Sequence, residues 1–194
     1  MATDIRTTIT HYTDPSSQLL PAKLPVHTPV LLETLANTVI ARGMFEAITH
    51  YVFTSLSKHL GPSFTESINA PDRWIQYFYS HLITSVPMTV GQLVHSVILF
   101  DRAIEYDKMC RLSSTQASPF VTEYTYGTLL LCSVIVALKM DEDSCHSNRY
   151  FSCLYKVPLK DINSSETFFF QALSYSASVN PDKLQEYISL LNKS

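Results

Sequence analysis

The segment LLLCSVIVAL, residues 129–138, has no polar face when it is drawn as a helix. A helix of this kind must be surrounded by other elements on all sides. It is too short to cross a membrane, which takes about 18 apolar residues or more. It is followed at once by Lys139 and then by an acidic cluster, Asp141, Glu142 and Asp143. The sequence therefore predicts a domain wrapped around this helix, whose end carries charges to the surface.

The apolar residues elsewhere recur with the helical spacing of three and four positions, and no Asn-Gly or Asp-Gly hairpin pair occurs. Residues 1–29 are rich in Ser, Thr and Pro, which predicts a mostly extended or disordered tail. Thr89 and Asn180 stand where helix caps are expected. We predict an all-α domain of seven or eight helices around one buried central helix, over residues 30–40, 45–60, 72–86, 90–107, 121–140, 146–154, 158–176 and 181–191.

The chain has only four glycines and a formal net charge of −3, and both features argue against particular classes of function. Phosphate-binding loops, dinucleotide-binding loops and nucleophile elbows all use glycine for tight turns. Nucleic-acid binding needs clustered Lys and Arg, and no basic run is present. The first thirty residues lack the form of a signal peptide. We therefore expect a soluble intracellular protein, in the nucleus or the cytoplasm, with no cofactor, no nucleic-acid or membrane partner and no small-molecule substrate.

The histidines and cysteines show no metal-binding spacing. Seven histidines are scattered, no H-E-x-x-H motif occurs, and Cys145 with His146 cannot complete a tetrahedral site. The acidic cluster at residues 141–143 lacks the glycine and the distal glutamate of a calcium loop. No C-x-x-C pair occurs, so reduced and mostly buried thiols are favoured over a disulfide or zinc framework. We predict no metal site and no catalytic residue, and a helical enzyme is kept as a third hypothesis.

One carboxylate falls on a face that should be buried. The apolar stripe of the helix predicted over residues 90–107 reaches Asp101 one turn after its last apolar member. An unpaired carboxylate in a core is strongly destabilising, so Asp101 needs a partner. The candidates are His81 and Arg73 on the preceding helix. We favour a structural ion pair that joins the two helices.

Lys139 and Glu166 are opposite charges in apolar surroundings. Lys139 ends the central helix, and Glu166 lies in the apolar stripe of the helix predicted over residues 158–176. Such a pair can be a purely internal salt bridge. It can also form in the free protein and then bind backbone and side-chain groups of a docked partner. Charged residues make up only 16% of the chain, which leaves apolar surface for a partner to cover. The residues alone do not decide between an internal salt bridge and a pair that binds a partner.

Four short motifs resemble those of the cyclin family, and specifically of its P-type or U-type, phosphate-pathway members. The family's Y-I-D-R is similar to LFDR at residues 99–102, and its A-x-K-x-x-D-D is similar to ALKMDED at residues 137–143. Its Y-S-N is matched by HSN at residues 146–148, and its L-x-x-L-N-x-x-E by LKDINSSE at residues 159–166. The resemblance covers a little over half of the chain.

Two stretches depart from the family pattern and indicate a divergent member. The family's N-x-H-R before the central helix is TYGT at residues 125–128, and its Gly-Gly before the last helix of the domain is Tyr155-Lys156. The arginine that usually pairs with the buried aspartate corresponds to His81. The resemblance thus implies a structural pair between Asp101 and His81.

The fold that the resemblance implies is a cyclin box, a five-helix domain around a buried central helix, over residues 71–179. Extra helices would flank the box at residues 30–70 and 180–194, and residues 1–29 would form a flexible tail.

The function that the resemblance implies is that of a cyclin, a regulatory and activating subunit of a cyclin-dependent protein kinase without enzymatic activity of its own, in the cell cycle and cell division or in phosphate signalling. In the family, the residues that match Lys139 and Glu166 contact the kinase helix that carries the PSTAIRE-like motif. Asn163, Phe170 and Tyr150 are further expected contacts. The alternative is a cyclin-fold helical adaptor that binds a non-kinase partner, which the lost N-x-H-R favours mildly.

Overall fold

A computed structural model describes residues 31–66, 70–113, 119–141 and 146–193, with the side chains of the first helix described from Met44 onward. This part of the chain forms eight helices and no strand, so the predicted all-α fold is confirmed. The predicted tail and two residues of the acidic cluster, Glu142 and Asp143, lie outside the described residues. The helices are α1 (Leu31–Leu60), α2 (Pro62–Thr65), α3 (Pro71–Ser85), α4 (Val90–Leu112), α5 (Tyr126–Asp141), α6 (Asn148–Tyr155), α7 (Leu159–Ala172) and α8 (Pro181–Leu191).

The central helix α5 is buried as predicted. Every residue from Leu129 to Leu138 is buried, and exposure returns at Lys139 and Met140. The main neighbours of α5 are α4 and α7. Because these helices enclose the apolar part of α5, its last turn emerges at the edge of the core and presents Lys139 there.

Two helices begin at their predicted caps. The Thr89 hydroxyl accepts a hydrogen bond from the backbone N–H of Gln92, and the Gln92 side chain accepts one from the backbone N–H of Thr89, which forms a capping box for α4. The Asn180 side chain accepts a hydrogen bond from the backbone N–H of Asp182, and Pro181 is the first residue of α8. Both starts depend on neighbours in the chain, and both were therefore visible in the sequence.

Several helices differ from their predicted bounds. α4 extends to Leu112 rather than to about residue 107, α5 begins at Tyr126 rather than at residue 121, and the short helix α2 was not predicted. α1 is one continuous helix where two were predicted, because the glycine between them, Gly43, weakens a helix without necessarily ending it. α7 ends at Ala172 rather than near residue 176, because Ser174 and Tyr175 adopt left-handed backbone angles, with φ of 53° and 58°.

The Asp101 carboxylate accepts its hydrogen bonds from two tyrosines rather than from His81. Its Oδ2 atom accepts hydrogen bonds from the hydroxyls of Tyr51 in α1, at 2.6 Å, and Tyr187 in α8, at 2.8 Å. Nδ1 of His81 is buried without a hydrogen-bond partner among the described residues, and Arg73 is exposed. The predicted pair between Asp101 and His81 is therefore not formed. The partners come instead from the flanking helices, 50 and 86 positions away in the chain.

Asp101 and Arg102 together tie several elements to α4. Burial raises the pKa of Asp101 above its usual range, and the two tyrosine hydrogen bonds oppose that shift. Arg102 Nη1 donates to the backbone carbonyl oxygens of Ser176, at 3.2 Å, and Ser178, at 3.0 Å. The two neighbouring residues thus connect α4 to α1, to α8 and to the linker between α7 and α8.

Candidate protein-docking surface

Lys139 at the end of α5 and Glu166 in α7 form an ion pair, with Nζ 2.5 Å from Oε1. The two side chains are 37% and 18% exposed, so the pair lies at the surface rather than in the core. α7 packs on α5, and its residues Ile162 and Phe169 are fully buried. Glu166 lies four positions after Ile162 and three before Phe169, which places it on the same face of α7. The packing of α7 therefore brings Glu166 to the end of α5, where it meets Lys139.

The side-chain amide of Asn148, the first residue of α6, connects this pair to a second residue of α7. Asn148 Nδ2 donates to Glu166 Oε2 at 2.6 Å and to Asn163 Oδ1 at 2.8 Å. Three predicted site residues, Lys139, Asn163 and Glu166, are thus brought together. Asn148 was not predicted as a site residue, although its place in the HSN motif could have indicated it. These four residues are referred to below as the polar network.

Exposed apolar side chains accompany the polar network. Met140 follows Lys139 and is 47% exposed, and Tyr175 just beyond α7 is 65% exposed. Phe170 lies one turn after Glu166 on α7, is half-buried, and meets the Tyr175 ring edge to face at 5.9 Å. The structure thus places the predicted contact Phe170 beside Glu166. Met140 was expected to flank Lys139 with apolar surface, whereas no sequence pattern indicated Tyr175. The docking surface comprises the polar network and these three residues.

Tyr150, the remaining predicted contact, is turned toward α3. Its hydroxyl donates to the backbone carbonyl of Ser85, the last residue of α3, at 2.6 Å, and His146 stacks on its ring at 4.1 Å. Tyr150 lies two positions after Asn148 on α6, which corresponds to about 200° around the helix axis. The structure therefore places Tyr150 on the side of α6 that faces away from the polar network.

The thiol of Cys132 lies beneath the ion pair. Burial raises the pKa of this thiol, the charge of Glu166 raises it further, and the charge of Lys139 opposes the shift. Three cysteines in the described residues, Cys110, Cys132 and Cys153, are free thiols, and Cys145 lies outside those residues. Only Cys132 among the three is fully buried, so the expectation of mostly buried thiols is wrong for the described cysteines.

The end of α5 is also attached to α4 through His95. The His95 Nδ1 atom lies 3.2 Å from both carboxylate oxygens of Asp141, and its Nε2 atom lies 2.9 Å from the backbone carbonyl of Ala177. The imidazole therefore joins the last residue of α5 to the linker between α7 and α8. This contact holds the turn that presents Lys139 and Met140.

Asp107 in α4 is a fully buried carboxylate that no sequence pattern indicated. Oδ2 accepts hydrogen bonds from Arg111 Nε at 2.5 Å and lies 2.7 Å from His59 Nε2, while Oδ1 accepts from the backbone N–H groups of Phe120 and Val121. Burial by itself would raise the pKa of Asp107, but these hydrogen bonds together lower it. Asp107 thus anchors α1 and the segment before α5 to α4.

Two classes of site are not found in the part of the chain that the structure describes. No group of three or more His, Cys, Asp or Glu side chains there is placed to hold a metal ion. No helix in the same residues combines the length and the apolar character of a membrane span.

The comparisons with known proteins identify similar sequences. A family model described as Cyclin matches residues 52–177. The chain is 28% identical to Cyclin-U4-1 of Arabidopsis thaliana over 90 residues, which are 46% of this chain and 45% of that protein. It is 28% identical to Cyclin-P4-1 of Oryza sativa subsp. japonica over 115 residues, which are 56% of this chain and 54% of that protein. The match thus spans about half the length of these relatives. No solved structure matches the chain.

Proposed function

The chain belongs to the cyclin family, and from this premise we propose that it is a regulatory subunit that binds and activates a cyclin-dependent protein kinase. Its resemblance to the P-type or U-type cyclins agrees with the names of the two relatives, Cyclin-U4-1 and Cyclin-P4-1. The all-α fold around the buried α5 is the cyclin-box architecture that the resemblance implied.

The observation that carries the proposal is the partly exposed ion pair between Lys139 and Glu166. A pair at the surface contributes roughly 0–1 kcal/mol to stability, so its members can change partners at small cost to the fold. Backbone carbonyls or carboxylates of a docked helix can then bind Lys139, and donors of that helix can bind Glu166. The apolar side chains of the docking surface supply area that such a helix can bury.

The proposed partner element is the kinase helix with the PSTAIRE-like motif, as the family resemblance implies. This helix carries the glutamate that must pair with the lysine of the kinase that contacts ATP. Docking holds the kinase helix inward, so that the kinase completes its own Lys-Glu pair. The cyclin then acts by positioning, and phosphoryl transfer stays within the kinase.

The test is affinity capture of the tagged full chain from its native cells, followed by identification of the bound proteins and a kinase assay. Wild type is compared with the Lys139→Ala, Glu166→Ala double variant. A matched control is the Lys183→Ala, Glu186→Ala double variant, which removes a different Lys–Glu pair, on α8, whose atoms are 2.8 Å apart. We expect a cyclin-dependent kinase and its activity with wild type and with the control, and a loss of both with the first variant.

Two results would contradict the proposal at different levels. If the Lys139→Ala, Glu166→Ala chain retains the kinase, the docking surface is assigned wrongly. If wild type captures a defined non-kinase protein and no kinase, the chain is an adaptor with a cyclin fold.

A further inference from the structure

Glu166 is held at both of its carboxylate oxygens by donors of different character. Lys139 donates to Oε1 at 2.5 Å, and Asn148 Nδ2 donates to Oε2 at 2.6 Å. Lys139 is a cation on a flexible stem, whereas Asn148 is half-buried at the start of α6. We propose that Asn148 is a positioning residue, which keeps Glu166 directed at the partner when Lys139 leaves Glu166 to bind that partner. This inference rests on the proposed function of the docking surface.

The physical basis of this role is that the Asn148 amide donates hydrogen bonds but carries no net charge. While Lys139 is paired with Glu166, the positive charge of the lysine largely cancels the negative charge of the carboxylate for any approaching group. When Lys139 moves to a partner, Glu166 keeps one short hydrogen bond from Asn148 and its full negative charge. The carboxylate then stays in place, because it does not have to find a new donor from solvent, and it can accept a hydrogen bond from the partner at its free Oε1 atom.

The Asn148 amide is itself held by two acceptors. Its nitrogen carries two hydrogens, and these bind Glu166 Oε2 and, at 2.8 Å, Asn163 Oδ1. Asn163 and Glu166 are three positions apart, so the amide spans one turn of α7. Rotating the amide by 180° would place its oxygen against the Glu166 carboxylate. Asn148 Oδ1 is buried and accepts no hydrogen bond among the described residues, so the side chain acts here purely as a donor.

The first measurement is the affinity of the purified full chain for the kinase that wild type captures, with melting temperatures recorded in parallel. Asn148→Ala removes the donor, and we expect binding to weaken about tenfold or more, as for the loss of a hydrogen bond to a charged group. Asn148→Asp places a second carboxylate against Glu166, and its binding should be weaker still. The matched control is Asn180→Ala, which removes a side chain that caps α8 by binding the backbone N–H of Asp182 rather than a residue of the polar network, and should leave the affinity unchanged.

A double-variant comparison separates positioning from a general structural role. If Asn148 acts through Glu166, Asn148→Ala should weaken binding much less in a Glu166→Gln background than in wild type. Equal weakening in both backgrounds would overturn the proposal.

In the chain with Asn148→Asp and Glu166→Gln together, the new amide at position 166 can donate to the new carboxylate at position 148. That chain should regain the melting temperature lost by Asn148→Asp and should still bind the kinase poorly.

The outcomes distinguish the inference from the function on which it rests. If wild type and the Asn180→Ala control both bind the kinase, and Asn148→Ala and Asn148→Asp bind it equally well, the inference alone is overturned. If wild type binds no cyclin-dependent kinase, the proposed function is overturned and the role of Asn148 with it.

Discussion

Trp74 lies across Gly127 so closely that a Cβ atom added to Gly127 would stand 2.8 Å from the indole Cη2 atom. The contact joins α3 to the first turn of α5, where the Tyr126 ring also meets Trp74 edge to face at 5.3 Å. The same stretch, TYGT at residues 125–128, replaces the N-x-H-R of the cyclin motif. The departure from the family pattern is thus accompanied by a packing arrangement in which a large ring occupies the space that a side chain would need.

Gly127→Ala is expected to lower the free energy of unfolding by about 1–3 kcal/mol, because the added methyl overpacks against the indole. Chemical denaturation followed by fluorescence measures this directly, since Trp74 is the only tryptophan of the chain. The control is Gly91→Ala, where the nearest atom to the added Cβ is Thr89 Oγ1 at 3.7 Å. That control should be neutral or slightly stabilising, and equal losses in the two variants would contradict the packing argument.

Lys156→Gly is expected to stabilise the protein by roughly 0.5–1 kcal/mol. Lys156 follows α6 with a left-handed backbone, φ 54° and ψ 31°, at a position where the family has glycine. This conformation costs an L-residue about 1–2 kcal/mol, and the greater freedom of glycine in the unfolded chain offsets part of the gain. Urea denaturation would measure the change. Lys160→Gly, within α7, should instead be destabilising, and a loss of stability in Lys156→Gly would refute the prediction.

Asp107→Asn is expected to cost on the order of 3 kcal/mol at neutral pH, whereas Asp101→Asn should cost less than about 1 kcal/mol. Both oxygens of the buried Asp107 carboxylate accept hydrogen bonds. An amide at position 107 would turn an NH₂ group toward some of these donors, including Arg111, and leave them without an acceptor. At position 101 both tyrosine hydroxyls bind one oxygen, Oδ2, and an amide oxygen can replace it. Thermal and urea unfolding of both variants would test this contrast, and similar losses would contradict it.

The stabilising effect of Asp107 should depend on pH in a defined direction. Hydrogen bonds lower its pKa in the folded protein below the unfolded value of about 3.9. Its contribution is therefore complete above that value and is lost as the pH falls through the folded-state pKa. The difference in unfolding free energy between wild type and Asp107→Asn should be largest near neutral pH and should shrink below about pH 4. A difference that stays constant down to acid pH would rule out this account.

Tyr187→Phe should lower the free energy of unfolding by about 1–2 kcal/mol, because Asp101 loses one of its two hydrogen bonds. The same hydrogen bond attaches α8 to α4, so amide hydrogen exchange should accelerate in α8 more than in α5. Tyr175→Phe, at an exposed tyrosine, should change neither quantity. Unchanged exchange in α8 would show that packing rather than this hydrogen bond holds the helix.

Lys139→Ala should lower the free energy of unfolding by less than about 1 kcal/mol, since the ion pair is partly exposed. Thermal unfolding at low and high salt provides the measurement, and high salt should reduce the difference from wild type. A small effect means that any loss of partner binding in this variant reflects the docking surface. A loss of several kcal/mol would instead favour the alternative of an internal structural bridge.

Local signals in the chain were sufficient to predict the all-α fold, the buried central helix, two helix starts and part of the docking surface. The burial of residues 129–138 follows from their composition, and the starts of α4 and α8 follow from Thr89 and Asn180, whose partners lie two or three positions away. The possible pairing of Lys139 with Glu166 could also be predicted, because each charge interrupts an apolar pattern. These features depend on helical periodicity and on nearest neighbours, both of which can be seen in a linear sequence.

Partner choice across the fold could not be predicted in the same way. Asp101 was expected to bind His81, yet its partners are Tyr51 and Tyr187, because α1 and α8 pack against α4 there. The burial and pairing of Asp107 could not be predicted from the sequence, because its backbone donors belong to a segment that turns back on α4. Periodicity specifies which face of a helix is buried. It does not specify the rotation and offset at which two distant helices meet, and those depend on how all the side chains between them pack.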